Sequence, residues 1–327
     1  MMRLRLVPQE TNWDFFKYRK ITSGLSIVAV IASLILWFTV GLNFGIDFRG
    51  GTTIRTEAVQ PIDVVAYREA VEALGVGEVL VAEVNDPARV ATTHIGSVRI
   101  QAQEGQEAAT AETIEQALAA LKSVDPTVTF QAVESVGPKV SGELVQTALL
   151  AIAAALAAIL IYIWLRFEWQ FSIGAVAALF HDVILTIGIF SLLQIRFDLA
   201  TIAAILTIVG YSINDTVVIF DRLRENLRKF KKTPLIEVMN KSVNETLSRT
   251  LMTSGTTLVA LIALLVFGGD VIRGFVFAIT WGVIVGTYSS VYVAKNVVLA
   301  LGVKRDWSKT DGNGGGGAGT QFANIDA

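Results

Sequence analysis

Residues 199 to 226 read LATIAAILTIVGYSINDTVVIFDRLREN, and this stretch decides the fold class. Its apolar part, Leu199 to Phe220, is long enough for the roughly 20 residues that a membrane-spanning helix needs. Asp215 nevertheless lies inside it, about 9 Å from the middle of the span. A carboxylate at that depth is costly to insert, so it persists mainly where it is paired or functional. The stretch therefore predicts a membrane helix with a functional carboxylate.

The neighbours of Asp215 are also polar. Tyr211 precedes it by one helical turn, and Asn214 is adjacent to it. The alternative interpretation is that Asp215 only joins two helices through a hydrogen bond. Because intramembrane carboxylates default to a functional hypothesis, we treat these three residues as candidates for a functional site.

The whole composition is that of a membrane protein. Of the 327 residues, 53% are hydrophobic and 17% are charged, against about 25% charged in an ordinary soluble domain. The absence of cysteine excludes disulfides and thiolate metal sites, and two distant histidines do not make a metal cluster. Six spans are predicted, at 21–42, 147–165, 171–193, 199–220, 251–267 and 274–301.

One segment, 43–145, is polar and differs from the rest. Its periodicity predicts the order β-α-β-β-α-β, which is the ferredoxin-like pattern. A turn is predicted in it at Asn85-Asp86-Pro87. The first 20 residues are basic and aromatic, which is typical of an interfacial segment. The fold class is thus a polytopic α-helical membrane protein with one α+β domain between helices 1 and 2, ending in a Gly-rich, disordered tail at 302–327.

The orientation follows from the positive charges. One side of the membrane collects 17 Lys and Arg residues in its flanks and loops, and the other side's short loops hold only Arg196 and Arg273. Positive loops stay in the cytoplasm, so both termini and the loop 221–250 are predicted to be cytoplasmic and residues 43–145 periplasmic. We interpret the basic loop 221–250 as a solvated cytoplasmic linker with a short amphipathic helix, and we expect no nucleic-acid partner.

Three further residues, at two places in the chain, are candidates for a functional role. His181 and Asp182 lie together at the middle of the third span, where two titratable groups are unusual. The alternative interpretation is that His181 is a structural residue whose hydrogen-bond partner is Asp182. Arg249 precedes the fifth span at a depth similar to that of Asp215, so the two side chains are expected to pair. The alternative is that Arg249 only anchors the helix at the positive side.

Small residues recur at every fourth position of the last span. Such a stripe lets another helix approach closely, so it predicts helix packing. Lys295, near the end of the same span, is expected to extend to the interface. The stripe consists of Gly274, Ala278, Gly282, Gly286, Ser290 and Ala294.

The segment NFGIDFRGGT at 43–52 follows the first span. Gly50 and Gly51 permit an unusual backbone path, and Asp47 and Arg49 are placed for a local ion pair. We interpret these four residues as a hinge between the membrane and the outer domain. The chain contains no phosphate-binding Gly-rich loop, nucleophile elbow or HExxH motif, so we expect neither an enzyme nor a cofactor.

Four motifs in order carry a resemblance to a known family. They are NFGIDFRGGT after the first span, VGPKVSGEL before the second, FHDV in the third and GYSINDTVVIFDRLREN in the fourth. Together, over about residues 10 to 305, they resemble the SecF family, the smaller half of the SecD–SecF accessory pair of the bacterial Sec protein translocase. The resemblance implies a fold of the resistance-nodulation-division type, in which two six-span halves pair.

The resemblance also implies a function and partners. It implies a SecD-like partner and, around the pair, the SecYEG channel, SecA, unfolded preproteins, YajC and YidC. It implies that the proton motive force, acting at the bacterial inner membrane, promotes late translocation steps. The family's proton-relay positions correspond to Asp215 and Arg249. Movement is expected to reach the outer domain through the first and second spans.

Two other functions remain open from the sequence. One is half of a proton-driven exporter of small solutes or lipids from the same superfamily. The single small outer domain, without a second large loop between the third and fourth spans, argues against it. The other is a purely structural scaffold for translocon assembly, which leaves Asp215 inside an apolar span unexplained.

Overall fold

We describe the protein from a computed structural model, which describes residues 11–77, 79–84, 94–101, 109–268 and 270–303. The predicted turn at Asn85-Asp86-Pro87 and the part of the predicted tail from residue 304 onwards lie outside these ranges. So do the first ten residues of the predicted N-terminal segment.

The chain begins with one long helix and then forms the α/β domain. In chain order the elements are α1 (Arg19–Thr39), α2 (Ile46–Arg49), β1 (Gly51–Ala58), α3 (Val64–Glu72), β2 (Val79–Val84), β3 (His94–Ile100), α4 (Ala111–Val124) and β4 (Thr129–Val136). Five more helices and one π-helical turn follow. They are α5 (Pro138–Arg166), α6 (Trp169–Leu193), α7 (Leu199–Lys229), α8 (Leu235–Phe267), α9 (Asp270–Ser289), the π turn (Ser290–Ala294) and α10 (Lys295–Leu301).

The α/β domain has the predicted ferredoxin-like arrangement. Its four strands lie in the order β2-β3-β1-β4, and the three neighbouring pairs are antiparallel. Helices α3 and α4 contact each other and share one apolar core with the sheet. Ile54, Val71, Val98 and Leu121 in that core are completely buried. Because it has this core of its own, the domain is a folding unit separate from the apolar helices.

Local signals in the sequence start each of these helices. The carboxylate of Asp63 accepts hydrogen bonds from the backbone of Val65 and Ala66 at the start of α3, and the Thr110 hydroxyl caps α4. Pro138 occupies the first turn of α5, where its missing N–H costs nothing. Asp198 and Thr201 form a reciprocal capping box at the start of α7.

Six helices among the described residues are long and apolar enough to cross a membrane. The last of them runs through α9, the π turn and α10 as Ile272–Leu301. Helix α7 lies at the centre of the bundle, where it packs against α6, α8 and α9. Most apolar side chains of α1 and α5 are exposed on the outside of the bundle, which is expected of helices that face lipid or another membrane chain.

The bundle core divides into two apolar clusters with a polar layer between them. One cluster, near the α/β domain, includes Phe190, Ile205 and Val283. The other, at the opposite end of the same helices, includes Phe171, Phe220 and Val298. On α6, α7 and α9 the residues between the two clusters are polar and buried: His181, Asp182, Ser212, Asp215 and Ser289.

The region predicted as the loop 221–250 is mostly helical. Helix α7 continues to Lys229 and α8 begins at Leu235, so only five residues connect them. Leu227 and Val238 in these extensions are 1% exposed and belong to an apolar cluster. The region is therefore a packed helical hairpin rather than a solvated linker with one short amphipathic helix, because its apolar residues bury against each other and against the N-terminal segment.

Candidate functional site

Asp215 lies in the polar layer on α7 with only 3% of its surface exposed. The one side-chain hydrogen bond to its carboxylate that the described residues provide comes from the Ser254 hydroxyl of α8, over a long 3.4 Å. Ser254 Oγ in turn lies 2.7 Å from Oγ1 of Thr287 on α9. The carboxylate therefore sits where three helices meet, with a single weak donor.

Asp182 lies in the same layer on α6 but has a very different environment. Its Oδ2 accepts hydrogen bonds from the Ser212 hydroxyl of α7 at 2.6 Å and from the Ser289 hydroxyl of α9 at 2.8 Å. Nδ1 of His181 lies 2.9 Å from the other carboxylate oxygen. Asp182 is completely buried, and three partners from three helices satisfy it.

His181 extends the polar contacts towards α1. Its ring stacks on Tyr288 of α9, with 6.0 Å between ring centroids. The Tyr288 hydroxyl donates to the carbonyl oxygen of Thr22 and lies 3.0 Å from the Ser26 hydroxyl, both on α1. His181 thus connects Asp182 to the first membrane helix, which the adjacency of the two residues in the sequence did not indicate.

The end of α9 and the π turn carry hydroxyls towards both carboxylates. Thr287 faces the Asp215 side, Ser289 binds Asp182, and Ser290 lies 2.8 Å from the Thr216 hydroxyl of α7. A π turn inserts one extra residue into a helix and is frequent at functional sites. These hydroxyls had not been singled out as site residues; clustered Ser and Thr in an apolar span are the signal that points to them.

The remaining predicted relay residues lie at the edge of this site. Asn214 and Arg249 are exposed, and the Tyr211 hydroxyl donates to Oγ1 of Thr257 at 3.3 Å. Asp215 and Arg249 form no ion pair, and among the described residues the Asp215 carboxylate has its Ser254 contact instead. The expected ion pair is therefore not formed in this structure, in which the Arg249 side chain is exposed.

The predicted hinge is ordered by contacts with the membrane helices. Gly50 and Gly51 have φ values of 72° and 126°, which are accessible mainly to glycine. Asp47 makes no ion pair with Arg49. Its carboxylate accepts a hydrogen bond from the backbone N–H of Leu199, the first residue of α7, at 3.1 Å. A local ion pair is thus replaced by a contact between residues far apart in the chain.

The small-residue stripe lies against α7. A Cβ atom added to Gly282 would overlap the Ile208 side chain, and one added to Gly286 would lie 3.0 Å from Cβ of Ser212. Ala278 is completely buried in the cluster near the domain, and Gly274 lies beside the loop that precedes α7. The close approach of α9 to α7 is what brings Ser289 within reach of Asp182.

Lys295 does not extend to the interface as expected. Its side chain is 1% exposed, its amine donates to the carbonyl oxygen of Phe15 at 3.1 Å, and it lies 4.1 Å from the ring centroid of Phe16. The rings of Phe15 and Tyr292 complete the surroundings of the amine. Cation–π contacts compensate part of the cost of burying the ammonium group.

Comparison with known proteins gives a consistent result. A family model described as protein export membrane protein SecD/SecF, C-terminal, matches residues 116–304, and a model of the SecD/SecF GG motif matches residues 35–62. Protein translocase subunit SecF of Cereibacter sphaeroides is 63% identical over 99% of this chain and 99% of its own length. The Rhodobacter capsulatus protein of the same name is 59% identical over 94% of this chain and 95% of its own length.

A solved structure shows a similar fold. The crystal structure of SecDF, a translocon-associated membrane protein from Thermus thermophilus, matches 90% of this chain with a TM-score of 0.80 and 35% sequence identity. The chain spans only 39% of the length of that SecDF chain. With a family model over more than half of its residues and relatives similar along almost all of its length, the chain belongs to the SecD/SecF family of protein-export membrane proteins.

Proposed function

We propose that this chain is the SecF-type accessory subunit of the Sec protein translocase and that proton movement through its membrane half drives it. The observation that carries the proposal is Asp215, a carboxylate 3% exposed in the polar layer of a bundle of this family. No catalytic bond-making step belongs to the proposal; the chain converts proton movement into motion of its α/β domain.

The contrast between the two buried carboxylates supports a proton-carrying role for Asp215 rather than for Asp182. Asp182 has two short hydroxyl donors and a histidine, which together hold a carboxylate in place. Asp215 has one donor at 3.4 Å, so few contacts are lost when it takes up a proton. A group held loosely in a low-dielectric site responds to small changes in charge or water access nearby.

In this proposal the positive charge of Arg249 changes the electrostatic surroundings of Asp215. Arg249 lies on α8 five residues before Ser254, which is about 7.5 Å along the helix axis. In this proposal a relative shift of α7 and α8 brings the guanidinium to the carboxylate, and protonation of Asp215 releases it. Each proton that crosses contributes about 2.3 kcal/mol per 100 mV of membrane potential, in addition to any pH difference.

The partner is a SecD-type chain. The family name and the fused SecDF structure, of which this chain matches only part, support a SecD partner. We place that partner on the face where Asn214 and Arg249 are exposed, because it then covers both polar groups within the membrane. His181, Tyr211 and Asn214 accompany Asp215 as the further relay candidates.

The proposal extends to the wider assembly. The SecYEG channel and SecA supply the preprotein, the unfolded preprotein is the substrate of the α/β domain, and YajC and YidC are further partners. The chain lies in the bacterial inner membrane with both termini in the cytoplasm and residues 43–145 in the periplasm. The surplus of Lys and Arg on the side opposite the α/β domain supports this orientation.

The decisive experiment is Asp215→Asn, which is nearly isosteric and permanently neutral. The variant is co-expressed with its SecD-type partner, and precursor translocation into membrane vesicles is measured with and without a proton gradient. We expect normal assembly and loss of only the gradient-dependent part of translocation, because the proton-binding group is gone while the packing remains.

Asp221→Asn is the matched control. Asp221 lies on the same helix, but its carboxylate is 46% exposed and pairs with Arg166 at 2.6 Å. We expect this variant to keep gradient-dependent translocation. Full gradient dependence in Asp215→Asn overturns the proposal and leaves Asp215 with a structural role.

A further inference from the structure

Helix α2 is a four-residue element between the membrane helices and the sheet. It is bonded to two membrane helices at once: the Ser141 hydroxyl of α5 donates to the carbonyl oxygen of Ile46, and Asp47 accepts the backbone N–H of Leu199. Just before it, the backbones of Gly45 and Phe197 are joined by a 2.7 Å hydrogen bond. The segment 44–49, which we call the root of the α/β domain, is therefore hydrogen-bonded to the start of α7 and to the residue two positions before it.

The Asp47 contact is more than a local helix cap. The first N–H groups of any helix lack partners within the helix, and its positive dipole end favours a carboxylate. Asp198, the residue next to the helix, already caps α7 by accepting the N–H of Thr201 at 2.9 Å. Asp47 is a second carboxylate at the same helix end, and it comes from a segment 152 residues away in the chain.

Helix α7 leads from this contact directly to the proton-binding candidate. Leu199 and Asp215 lie on one uninterrupted helix, about 24 Å apart along its axis. A helix packed on three sides moves as a rigid rod rather than bending locally, so displacement at one end appears at the other. Among the described residues, the side-chain hydrogen bond to Asp215 comes from Ser254 of α8 and not from the first or second span.

On the other side of Asp47 the chain enters the middle of the sheet. Gly50 and Gly51 follow α2 without a spacer, and β1 begins at Gly51. Strand β1 pairs with both β3 and β4. The Arg99 guanidinium of β3 also donates to the carbonyl oxygen of Phe44 at 3.0 Å, which ties a second strand to the same root.

We propose that the Asp47–Leu199 contact is the mechanical joint through which movement of α7 reaches the α/β domain. Asp47 is a positioning residue: it binds no proton of the relay and touches no substrate. Gly50 and Gly51 supply the backbone turn that aims β1 away from the membrane. This inference rests on the proposed function, since it concerns how a proton-linked movement of α7 is used.

Three variants test the joint. Asp47→Ala removes the acceptor, Asp47→Asn keeps an oxygen acceptor and removes the charge, and Asp198→Ala removes the local cap of the same helix end. If the contact is such a joint, Asp47→Ala lowers gradient-dependent translocation about tenfold, the change expected from the loss of one hydrogen bond. Asp47→Asn retains most of the translocation, and so does Asp198→Ala.

A second readout separates coupling from stability. The chain has no cysteine, so fluorophores can be placed at Ala119→Cys on α4 and Leu193→Cys at the end of α6. In the otherwise native assembly we expect a proton gradient to change the distance between the labels, and we expect Asp47→Ala to abolish that change. The melting temperatures of Asp47→Ala and Asp198→Ala are measured alongside; a coupling role predicts similar values.

The outcomes distinguish this inference from the proposed function. Loss of gradient dependence in both Asp215→Asn and Asp47→Ala, with Asp198→Ala active, supports the joint. If Asp215→Asn is inactive but Asp47→Ala keeps both translocation and the distance change, the joint is overturned while the proposed function stands. Equal losses in Asp47→Ala and Asp198→Ala also overturn it, because a simple capping role then accounts for both.

Discussion

Asp182 and Asp215 are residues of the same type, but their surroundings give them different hydrogen bonds. Both are carboxylates in apolar helices, and both are buried to at least 97%. Asp182 joins α6, α7 and α9 through two serine hydroxyls, whereas Asp215 has one distant serine. Burial alone therefore does not distinguish the two carboxylates; they differ in the number and length of the hydrogen bonds that they accept, and the role proposed for Asp215 is based on this difference.

This contrast leads to a prediction for Asp182. Asp182→Asn keeps an oxygen for both serines and adds an N–H for His181, so we expect near-normal melting and most of the gradient-dependent translocation. Asp182→Leu leaves the buried Ser212 hydroxyl without its acceptor, which costs about 1–3 kcal/mol. The Ser289 hydroxyl keeps the carbonyl oxygen of Gly286 as an acceptor at 3.1 Å. Thermal unfolding of the purified protein measures the difference. Normal stability with lost gradient dependence in Asp182→Asn would instead place Asp182 in the proton relay.

Among the elements, the last membrane helix depends on its small residues for its close packing against α7. We predict that Gly282→Leu lowers the free energy of unfolding by about 1–3 kcal/mol, the usual cost of overpacking a core. The reason is that even a Cβ atom there would overlap Ile208 of α7. Thermal unfolding and co-purification with the partner chain report the effect.

Gly24 on α1 provides the control for this prediction. A Cβ atom added there has nothing within 4 Å among the described residues, so Gly24→Leu should leave melting and assembly close to those of the parent protein. Unchanged stability and assembly in Gly282→Leu would show that the stripe does not hold α9 against α7.

The N-terminal segment from Thr11 to Tyr18 is held by two neighbouring elements. Asn244 of α8 accepts the backbone N–H of Trp13 at 2.8 Å, and buried Lys295 binds the carbonyl oxygen of Phe15. We predict that Lys295→Met, which keeps the length but removes the amine, releases the segment, because the Phe15 carbonyl loses its donor and the rings lose their cation. Faster trypsin cleavage after Lys17 measures the release.

Lys241→Met is the matched control for Lys295→Met. Lys241 also lies over an aromatic ring, 4.3 Å from the centroid of Phe230, but its side chain is exposed. Cleavage after Lys17 should keep its parental rate in this variant. The same slow rate in Lys295→Met would mean that the asparagine contacts of α8 hold the segment without the lysine.

For the whole molecule, the prediction concerns orientation across the membrane. A cysteine at Ala109 in the α/β domain should react with a membrane-impermeant thiol reagent in intact spheroplasts, whereas one at Thr233 between α7 and α8 should not. The chain's own lack of cysteine keeps the background low. The reverse labelling pattern contradicts the orientation derived from the Lys and Arg distribution.

The sequence alone was enough for the membrane helices, the α/β domain and the class of the molecule, but not for the helical hairpin at 221–250. Long apolar runs have one solution in lipid, a hydrogen-bonded helix, so six membrane helices followed from composition. The switch to strand and helix periodicity between residues 43 and 145 led to the ferredoxin-like domain, whose order of strands and helices along the chain the structure confirms. The motifs around Gly50, Asp182 and Asp215 identified the family that the comparisons bear out.

Which residues meet was decided only by the tertiary structure. Asp47 binds Leu199 rather than Arg49, Arg249 is exposed whereas Asp215 is buried, and Lys295 is buried under the N-terminal segment. Periodicity reports which face of a helix is apolar, but not which distant segment covers that face. A long polar side chain takes whichever partner the packing brings within about 3 Å, and helix packing is a property of the complete bundle.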